Sequence, residues 1–261
     1  MIKIANWNIN SVRTRLPLLL SFLEQESPDI VCLQETKCIN EQFPTLEIES
    51  LGYNFALHGQ KSYNGVAILS KFPLEDISIK MHDGTDDVQA RYIEVIVNVS
   101  SDRVLRVISC YVPNGAPLES EKFIYKLNFL DQLYERVQQL LKFEEILVVM
   151  GDFNVAPEDI DVYDREVLNN TVCFHIEEKV RFRKIIYAGM NDAFRMLYPD
   201  RQEFTWWDYR AGSWQHNSGM RIDHILLSPQ AADLLKAIYI RKDMRAVDKA
   251  SDHVPIVCEL E

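Results

Sequence analysis

The sequence lacks the long apolar run that a membrane span requires. No stretch of its 261 residues approaches the roughly 20 consecutive apolar residues of a transmembrane helix. The N-terminal segment MIKIANWNIN looks like a strand, and it lacks the charged region and the long apolar region of a signal peptide. These two absences predict a cytoplasmic protein with no membrane association.

Cysteine pairs are missing as well. The five cysteines are odd in number and widely spaced, and no CxxC motif suggests a zinc site. Cys32, Cys110 and Cys258 lie in apolar, strand-like runs, which predicts buried thiols. A disulfide framework and a catalytic cysteine are therefore not expected.

Positive charge is scarce. The chain has 28 Lys and Arg against 39 Asp and Glu, which gives a net charge of −11. This balance argues against a passive nucleic-acid binder, because phosphate contacts need cations. It is compatible with an enzyme that gathers its Lys and Arg around one cleft and uses several carboxylates to bind a metal ion.

The sequence also has no Pro/Gly/Ser-rich linker, no low-complexity tract and no short repeat. This predicts a single domain over residues 1–261, with a large core because 47% of the residues are hydrophobic. Several strand-like runs follow one another without a helix between them. The pattern predicts an α/β (α+β) fold in which a mixed sheet, or two sheets, are covered by helices.

Apolar, β-branched runs predict the strands, and apolar residues at helical spacing predict the helices. The predicted strands span residues 2–7, 30–33, 66–69, 92–99, 105–111, 146–150, 222–227 and 254–260. The predicted helices span residues 16–25, 122–142, 177–188 and 230–237.

Several apolar runs border directly on acids, amides or a histidine. The segments are IANWNIN, IVCLQET, VISCYVPNG, ILVVMGDFN, MRIDHILLS and ASDHVPI. One acid after a strand is ordinary turn chemistry, but ligand sites in α/β enzymes are built at strand ends. The repetition of the pattern along one chain favours a shared site.

The GDFN segment places Asp152 and Asn154 two residues apart, so their side chains face the same way in extended chain. Gly151 permits a close approach of the backbone to a ligand. An Asx turn that ends the strand explains this motif equally well when it is taken alone.

The SDH and RID segments supply a second candidate group. Asp252 could bind a metal ion beside His253, which titrates near neutral pH, although a surface turn with an exposed histidine is the alternative. Asp223 could orient His253, as a third group orients the base in other hydrolytic sites. Glu35 follows IVCLQ and is a candidate Mg²⁺ ligand, although a lone glutamate there more often begins a solvated helix.

Taken in order, these motifs resemble the exonuclease III family of DNA-repair nucleases, within the endonuclease/exonuclease/phosphatase superfamily. The matching segments are NWNIN with Arg13, LQETK, HGQK followed by NGVAILS, YVPNG, GDFNVAP with DIDVYD, DAFR, TWWDYR, RIDHILLS and SDHVPI. Each is weak alone, but their joint order is specific and covers the whole chain. The resemblance implies a four-layer α/β sandwich, with two mixed β-sheets face to face, flanked by helices, and the site at one rim.

The resemblance also implies a reaction, the Mg²⁺-dependent hydrolysis of phosphodiester bonds in DNA, with Mn²⁺ as an alternative ion. One ion or two are both compatible with the sequence. The implied metal-site residues are Glu35, Asn8, Asn10 and Asp252. The implied catalytic residues are Asp152 and Asn154 for the attacking water, His253 with Asp223 for the transition state, and Tyr111 for the phosphate.

The implied partner is double-stranded DNA with abasic sites or blocked 3′ ends, bound by a monomer. Trp206 matches an aromatic residue that packs on the deoxyribose of an abasic site, with a core position as the alternative. The implied phosphate and polar contacts are Arg13, Lys61, Arg91, Arg210 and Asn114, with a solvated surface charge as the alternative for each cation.

We expect incision 5′ to abasic sites and 3′→5′ exonuclease activity, with their balance left open because residues 177–186 and 213–218 vary among relatives. LQETK, HGQK, TWWDYR and RIDHILLS favour this branch over deoxyribonuclease I, inositol polyphosphate phosphatases, sphingomyelinases and deadenylases. A non-catalytic DNA-binding scaffold is the alternative class, which the complete acid, amide and histidine set disfavours. We also expect a basic rim around the site, formed by Arg13, Lys37, Lys61, Arg91, Arg210 and Arg221.

Overall fold

Two six-stranded sheets form the centre of the molecule in the computed structural model, which describes residues 1–82, 87–101 and 103–261. The first sheet contains β1 (Ile2–Asn8), β2 (Ile30–Gln34), β3 (Asn54–His58), β4 (Val66–Ser70), β11 (Leu235–Ile240) and β12 (Ile256–Leu260). Its strand order is β11-β12-β1-β2-β4-β3. β1 and β2 pair in parallel, and the other neighbours pair antiparallel.

The second sheet has the same mixed character. It contains β5 (Leu74–Ser78), β6 (Tyr92–Ser100), β7 (Arg103–Tyr111), β8 (Ile146–Asp152), β9 (Asn191–Asp192) and β10 (Asp223–Leu227), in the order β5-β6-β7-β8-β10-β9. β7 and β8 pair in parallel, and the other neighbours pair antiparallel.

Helices cover the outer faces of both sheets. The α-helices are α1 (Leu16–Glu26), α2 (Thr45–Glu49), α3 (Glu121–Leu141), α4 (Arg165–Leu168), α5 (Ile176–Tyr187), α6 (Ala193–Leu197) and α7 (Pro229–Ala232). Helix α3 begins at an N-cap, because the Ser120 side chain accepts a hydrogen bond from the Phe123 backbone N–H. Within the described ranges, no helix is long and apolar enough to cross a membrane.

The alternation of side chains along buried strands explains the layers. In β2, Cys32 faces the core between the two sheets, while Leu33 faces the core beneath α1. In β8, Met150 faces the same central core, while Val149 faces the core beneath α3. Each central strand is thus buried on both faces, and the predicted four-layer α/β sandwich is confirmed.

The predicted helix at residues 230–237 is wrong. Helix α7 ends at Ala232, and Leu235–Ile240 forms β11, an edge strand paired with β12. Pairing with β12 satisfies the backbone groups on one side of β11, and Ile238 enters the central core, which the local apolar spacing does not reveal. Strands β3, β5 and β9 were not predicted either.

The prediction of buried thiols is confirmed, since all five cysteines are free and buried.

Strand direction brings the polar strand ends together at one rim. The carboxyl ends of the parallel pairs β1–β2 and β7–β8 carry Asn8, Glu35, Tyr111 and Asp152. β10 runs antiparallel to β8 and β12 runs antiparallel to β1, so the starts of β10 and β12 reach the same rim.

Candidate active site

Glu35 lies at the junction of the two sheets. It follows β2 directly and has a left-handed backbone, with φ of 52°. The Asn8 Nδ2 group donates hydrogen bonds to Glu35 Oε1 at 2.9 Å and to Asp152 Oδ2 at 2.9 Å. The Tyr111 hydroxyl, from the second sheet, donates to the same Glu35 oxygen at 2.9 Å. Both sheets therefore contribute to the position of this carboxylate.

Lys37 supplies a positive charge beside Glu35. Its Nζ lies 2.7 Å from Glu35 Oε2 and donates to Asn10 Oδ1 at 2.6 Å. Burial alone would raise the pKa of Glu35, but the charge of Lys37 and the hydrogen bond from Asn8 outweigh it, and the pKa is lowered. Glu35 is therefore ionised at neutral pH. The sequence analysis predicted Lys37 only as a cation of the basic rim. Its position two residues after Glu35 in LQETK indicated that it could pair with this carboxylate.

His253 is held between two carboxylates. Its Nδ1 donates to Asp223 Oδ2 at 2.8 Å, and its Nε2 lies 3.6 Å from Asp152 Oδ2. Asp223 and Asp152 face each other in the β10–β8 ladder, which fixes this arrangement in the sheet. Burial alone would lower the pKa of His253. The negative charges of Asp223 and Asp152 raise this pKa by more than burial lowers it, so the imidazole is positively charged at neutral pH.

Asp152 is ionised less readily than an ordinary aspartate. Burial raises its pKa, the charge of His253 opposes this effect, and the neighbouring Asp223 and Glu35 raise it further. A carboxylate with a raised pKa is a stronger base than an exposed one, which is the property that proton abstraction from water needs.

Hydrogen bonds hold both the backbone N–H and the side-chain amide of Asn154. Its backbone N–H donates to Asp152 Oδ1 at 2.9 Å, and its side-chain Nδ2 donates to the Val112 carbonyl at 2.9 Å. Its Oδ1 accepts from Asn114 Nδ2 at 3.2 Å. The backbone has φ of 50°. Asp152 and Asn154 thus form an Asx turn, and the same two residues also belong to the shared site.

Asn10 and Asp252 form the outer part of this polar group. Asn10 Nδ2 donates to Asp252 Oδ1 at 2.8 Å, and Trp206 Nε1 donates to Asp252 Oδ2 at 3.1 Å. Burial would raise the pKa of Asp252, but His253 and these two hydrogen bonds lower it. Both carboxylate oxygens of Asp252 are therefore engaged within the protein.

The residues of the rim fit a divalent cation. One oxygen each of Glu35 and Asp152 and one ring nitrogen of His253 lie within 4.8 Å of one another. Carboxylate oxygens are the donors that Mg²⁺ and Mn²⁺ prefer, and amide oxygens from Asn8 and Asn10 stand nearby. The donor set thus suits a hard, oxygen-seeking ion.

A cavity of about 420 Å³ opens beside these groups. Its lining combines polar groups of the site, among them Glu35, Asp152 and His253, with Asn114 and Arg210. Apolar residues also line it, and these are Val172, Cys173, Trp206, Met220 and Ile222. Trp206 therefore faces the cavity, while the adjacent Trp207 is completely buried in the core. The sequence analysis did not predict the other four apolar lining residues, because sequence alone does not distinguish an apolar loop residue that lines a cavity from one that is buried in the core.

The predicted DNA-contact cations divide into two groups. Arg210 lines the cavity and pairs with Asp208 at 2.8 Å, and the Arg91 guanidinium lies 4.7 Å from the centre of the Tyr111 ring. Arg13 and Lys61 are exposed and stand outside the residues that line the cavity in the described part of the chain.

The expectation that Arg221 belongs to the basic rim is wrong. Its side chain is fully buried and pairs with Asp161 at 2.6 Å and with Asp192 at 2.8 Å. The guanidinium is therefore part of a buried structural ion pair and is not on the rim. Its position in the motif RID did not reveal the two distant acids.

A second cavity of about 420 Å³ adjoins the first and shares Asn114 with it. It is lined by Gln89, Arg91, Pro113, Asn114, Gly115, Ala116, Lys122 and Tyr125. Lys122 was not predicted as a contact residue. We call this second cavity the groove. Arg91 in it lies 4.7 Å from the ring centre of Tyr111 and 5.9 Å from that of Tyr125.

Known proteins resemble this chain in sequence and in structure. Residues 5–253 match the model of the Endonuclease/Exonuclease/phosphatase family. Exodeoxyribonuclease III of Haemophilus influenzae is 34% identical, with 99% of this chain and 100% of that protein covered.

Two solved structures are similar over their full length. The 3′ phosphatase NExo from Neisseria, bound to a product DNA hairpin, superposes with a TM-score of 0.96 at 36% identity, with 100% of both chains covered. An AP endonuclease from Archaeoglobus fulgidus superposes with a TM-score of 0.94 at 36% identity, also with 100% of both chains covered. The similarity thus includes every element that builds the rim.

Proposed function

Because the chain belongs to the exonuclease III family and is a nuclease, we propose that it hydrolyses double-stranded DNA 5′ to abasic sites and removes nucleotides or blocking groups from 3′ ends. One observation carries the proposal. His253, Asp152 and Glu35 lie close together and line a cavity whose lining also includes the apolar residues Trp206, Met220 and Ile222. Hydrolytic groups and apolar side chains thus share one space.

The metal is proposed to be Mg²⁺, with Mn²⁺ as an alternative, held by Glu35 with help from Asn8, Asn10 and Asp252. When bound, it neutralises the charge that develops on the scissile phosphate and on the leaving 3′ oxygen.

The chain's own residues supply the remaining chemistry. Asp152 accepts the proton of the attacking water, and Asn154 orients that water. The imidazolium of His253 donates a hydrogen bond to a phosphate oxygen and stabilises the pentacovalent transition state. Asp223 holds Nδ1 of His253 protonated, so that Nε2 faces the substrate. Tyr111 contacts the phosphate through its hydroxyl.

The apolar part of the lining supports the proposed preference for abasic sites. A missing base leaves a void, which in this proposal Trp206 and Met220 fill. The adjoining groove would carry the DNA strand away from the site, with Arg91 and Lys122 near its phosphates. Asn114, shared by both cavities, is the proposed polar contact between the two, and Arg210 is a further proposed phosphate contact.

A duplex that carries an abasic-site analogue tests the proposal. We expect incision in Mg²⁺, no incision in EDTA, and a product with a 3′-hydroxyl end. The same preparation should shorten an undamaged 3′ end and release phosphate from a 3′-phosphorylated one. Cleavage that persists in EDTA, or a 3′-unsaturated aldehyde product, would contradict hydrolysis and indicate a lyase. The monomeric state and the cytoplasmic location stay predictions.

A further inference from the structure

A completely buried ion pair lies directly behind the cavity. Lys126 of α3 and Glu178 of α5 are both 0% exposed, and Lys126 Nζ lies 2.5 Å from Glu178 Oε1. Lysine and glutamate are almost never fully buried unless they are paired, because desolvation of each charge is costly. Such a pair adds little stability over an apolar pair of similar volume. Its presence therefore calls for another explanation.

The ammonium of Lys126 holds two backbone carbonyls of the site. Nζ donates to the Asn154 carbonyl at 2.7 Å and to the Asn114 carbonyl at 3.1 Å. With Glu178 as the third acceptor, all three N–H donors of the ammonium are used. Gly115 makes room for the lysine stem, since a Cβ at this position would lie 2.8 Å from Lys126 Cδ.

The carboxylate of Glu178 holds the opposite side of the cavity. Its Oε1 also accepts from the Cys173 backbone N–H at 3.2 Å, and its Oε2 accepts from the His175 N–H at 3.0 Å. Cys173, Asn114 and Asn154 come from three separate loops, and all three line the cavity. One ion pair therefore joins three wall segments.

We propose that Lys126 and Glu178 are positioning residues for the reaction, which hold Asn154 in the orientation that the attacking water requires. The side chain and the backbone N–H of Asn154 are bound by Val112, Asn114 and Asp152. The carbonyl of Asn154 is the remaining group, and Lys126 binds it. An apolar pair could fill the same volume, but it could not bind the two carbonyls. This inference rests on the proposed function.

The decisive variant is the neutral pair Lys126→Met with Glu178→Gln. Methionine has a similar length without the ammonium, and the glutamine oxygen can accept from one of the Cys173 and His175 N–H groups. We expect the variant to fold with lower thermal stability than the wild type, because buried carbonyls lose their donor. Its kcat on abasic duplex should be reduced about tenfold or more. KM should change less than kcat. Glu178→Gln alone leaves the buried ammonium of Lys126 without its counter-charge, so it should lower thermal stability more than the neutral pair does.

Two further measurements separate positioning from general damage. In an Asn154→Ala background, the neutral pair should lower kcat by less than about threefold, because interacting residues are not additive. Arg136→Met is the matched control, since Arg136 of the same helix pairs with the buried Glu94 away from the cavity. It should lower stability and leave kcat unchanged.

Amide hydrogen exchange gives a readout that does not depend on activity. Exchange at residues 153–155 should be faster in the neutral pair and unchanged in Arg136→Met. A folded neutral pair with wild-type kcat, a full loss of rate in the Asn154→Ala background, or unchanged exchange would each overturn the proposal. If the wild type fails to incise abasic DNA, the proposed function fails, and the exchange result still decides whether the pair holds this loop.

Discussion

At the scale of single residues, Asp152 and His253 carry opposite charges in one buried site, with Asp223 behind the imidazole. We expect Asp152→Asn and His253→Ala each to lower turnover on abasic duplex at least about a hundredfold, because a general base or an electrostatic stabiliser is removed. Steady-state kinetics together with circular dichroism measure the loss of rate and the retained fold. Asp200→Asn, an exposed carboxylate, is the control. Near-wild-type turnover in either variant would show that the roles are misassigned.

Glu35 is bound by Lys37, Asn8 and Tyr111. The carboxylate of Asp152 beside it and the proposed ligand Asp252 remain when its side chain is removed. We therefore expect Glu35→Ala to raise the Mg²⁺ concentration needed for half-maximal activity, and excess Mg²⁺ to restore part of the rate. Titration of activity with Mg²⁺ and with Mn²⁺ checks this, and Glu47→Ala on α2 is the control. A rate that no concentration of either ion changes would mean that Glu35 acts otherwise.

At the scale of elements, the buried Arg221 connects β10 with α6 and with the loop after β8. Asp192, which also caps α6, pairs with Arg221 at 2.8 Å. Burial would raise the pKa of Asp192, but the charge of Arg221 outweighs it and the pKa is lowered. The pKa of Asp192 is lower in the folded protein than in the unfolded chain, where it is about 3.9. The ionised carboxylate therefore stabilises the fold at every pH above about 3.9. This stabilisation is lost as the pH falls below that value.

Asp192→Asn removes this charge while asparagine can still cap α6. We expect the variant to be less stable than the wild type at neutral pH. The difference in the free energy of unfolding should shrink as the pH falls below about 4, because the carboxylate of the unfolded chain then becomes protonated while that of the folded chain stays ionised to lower pH. Urea denaturation at a series of pH values measures this difference. A constant difference from neutral to acidic pH would show that the Asp192 charge is not the cause.

At the scale of the whole molecule, a chain with a net charge of −11 must still approach a polyanion. The groove near the site carries Arg91 and Lys122, while many acids lie elsewhere. We expect the affinity of a metal-free Asp152→Asn variant for abasic duplex to fall with salt, with a log–log slope of about −0.9 for each phosphate contact.

Substitutions in the groove sharpen this prediction. Arg91→Gln and Lys122→Gln, each added to the Asp152→Asn variant, should each reduce the slope by about 1 if they contact phosphates. Lys236→Gln should leave it unchanged, since Lys236 pairs with Glu261 at the chain terminus. Fluorescence anisotropy across a salt series measures all three. A salt-independent affinity would show that packing against Trp206, and not the basic groove, provides the binding.

Local sequence patterns were sufficient for the inner strands and for the polar rim. The alternation in β2 and β8 and the polar residues at their ends are local signals, because side chains point to alternate faces with a period of two. The pairing of His253 with Asp223 could likewise be predicted, since both residues border apolar runs that form the central strands. Edge strands carried weaker signals, because packing on one face demands less of a sequence.

Other features depended on contacts between distant residues. Leu235–Ile240 became a strand because β12 lay beside it, and Arg221 was buried because Asp161 and Asp192 met it from two other segments. The apolar cavity lining around Met220 and the ion pair of Lys126 with Glu178 arise from loops and helices far apart in the chain. Whether a charge is solvated or buried depends on what packs against it, and only the tertiary structure brings those partners together.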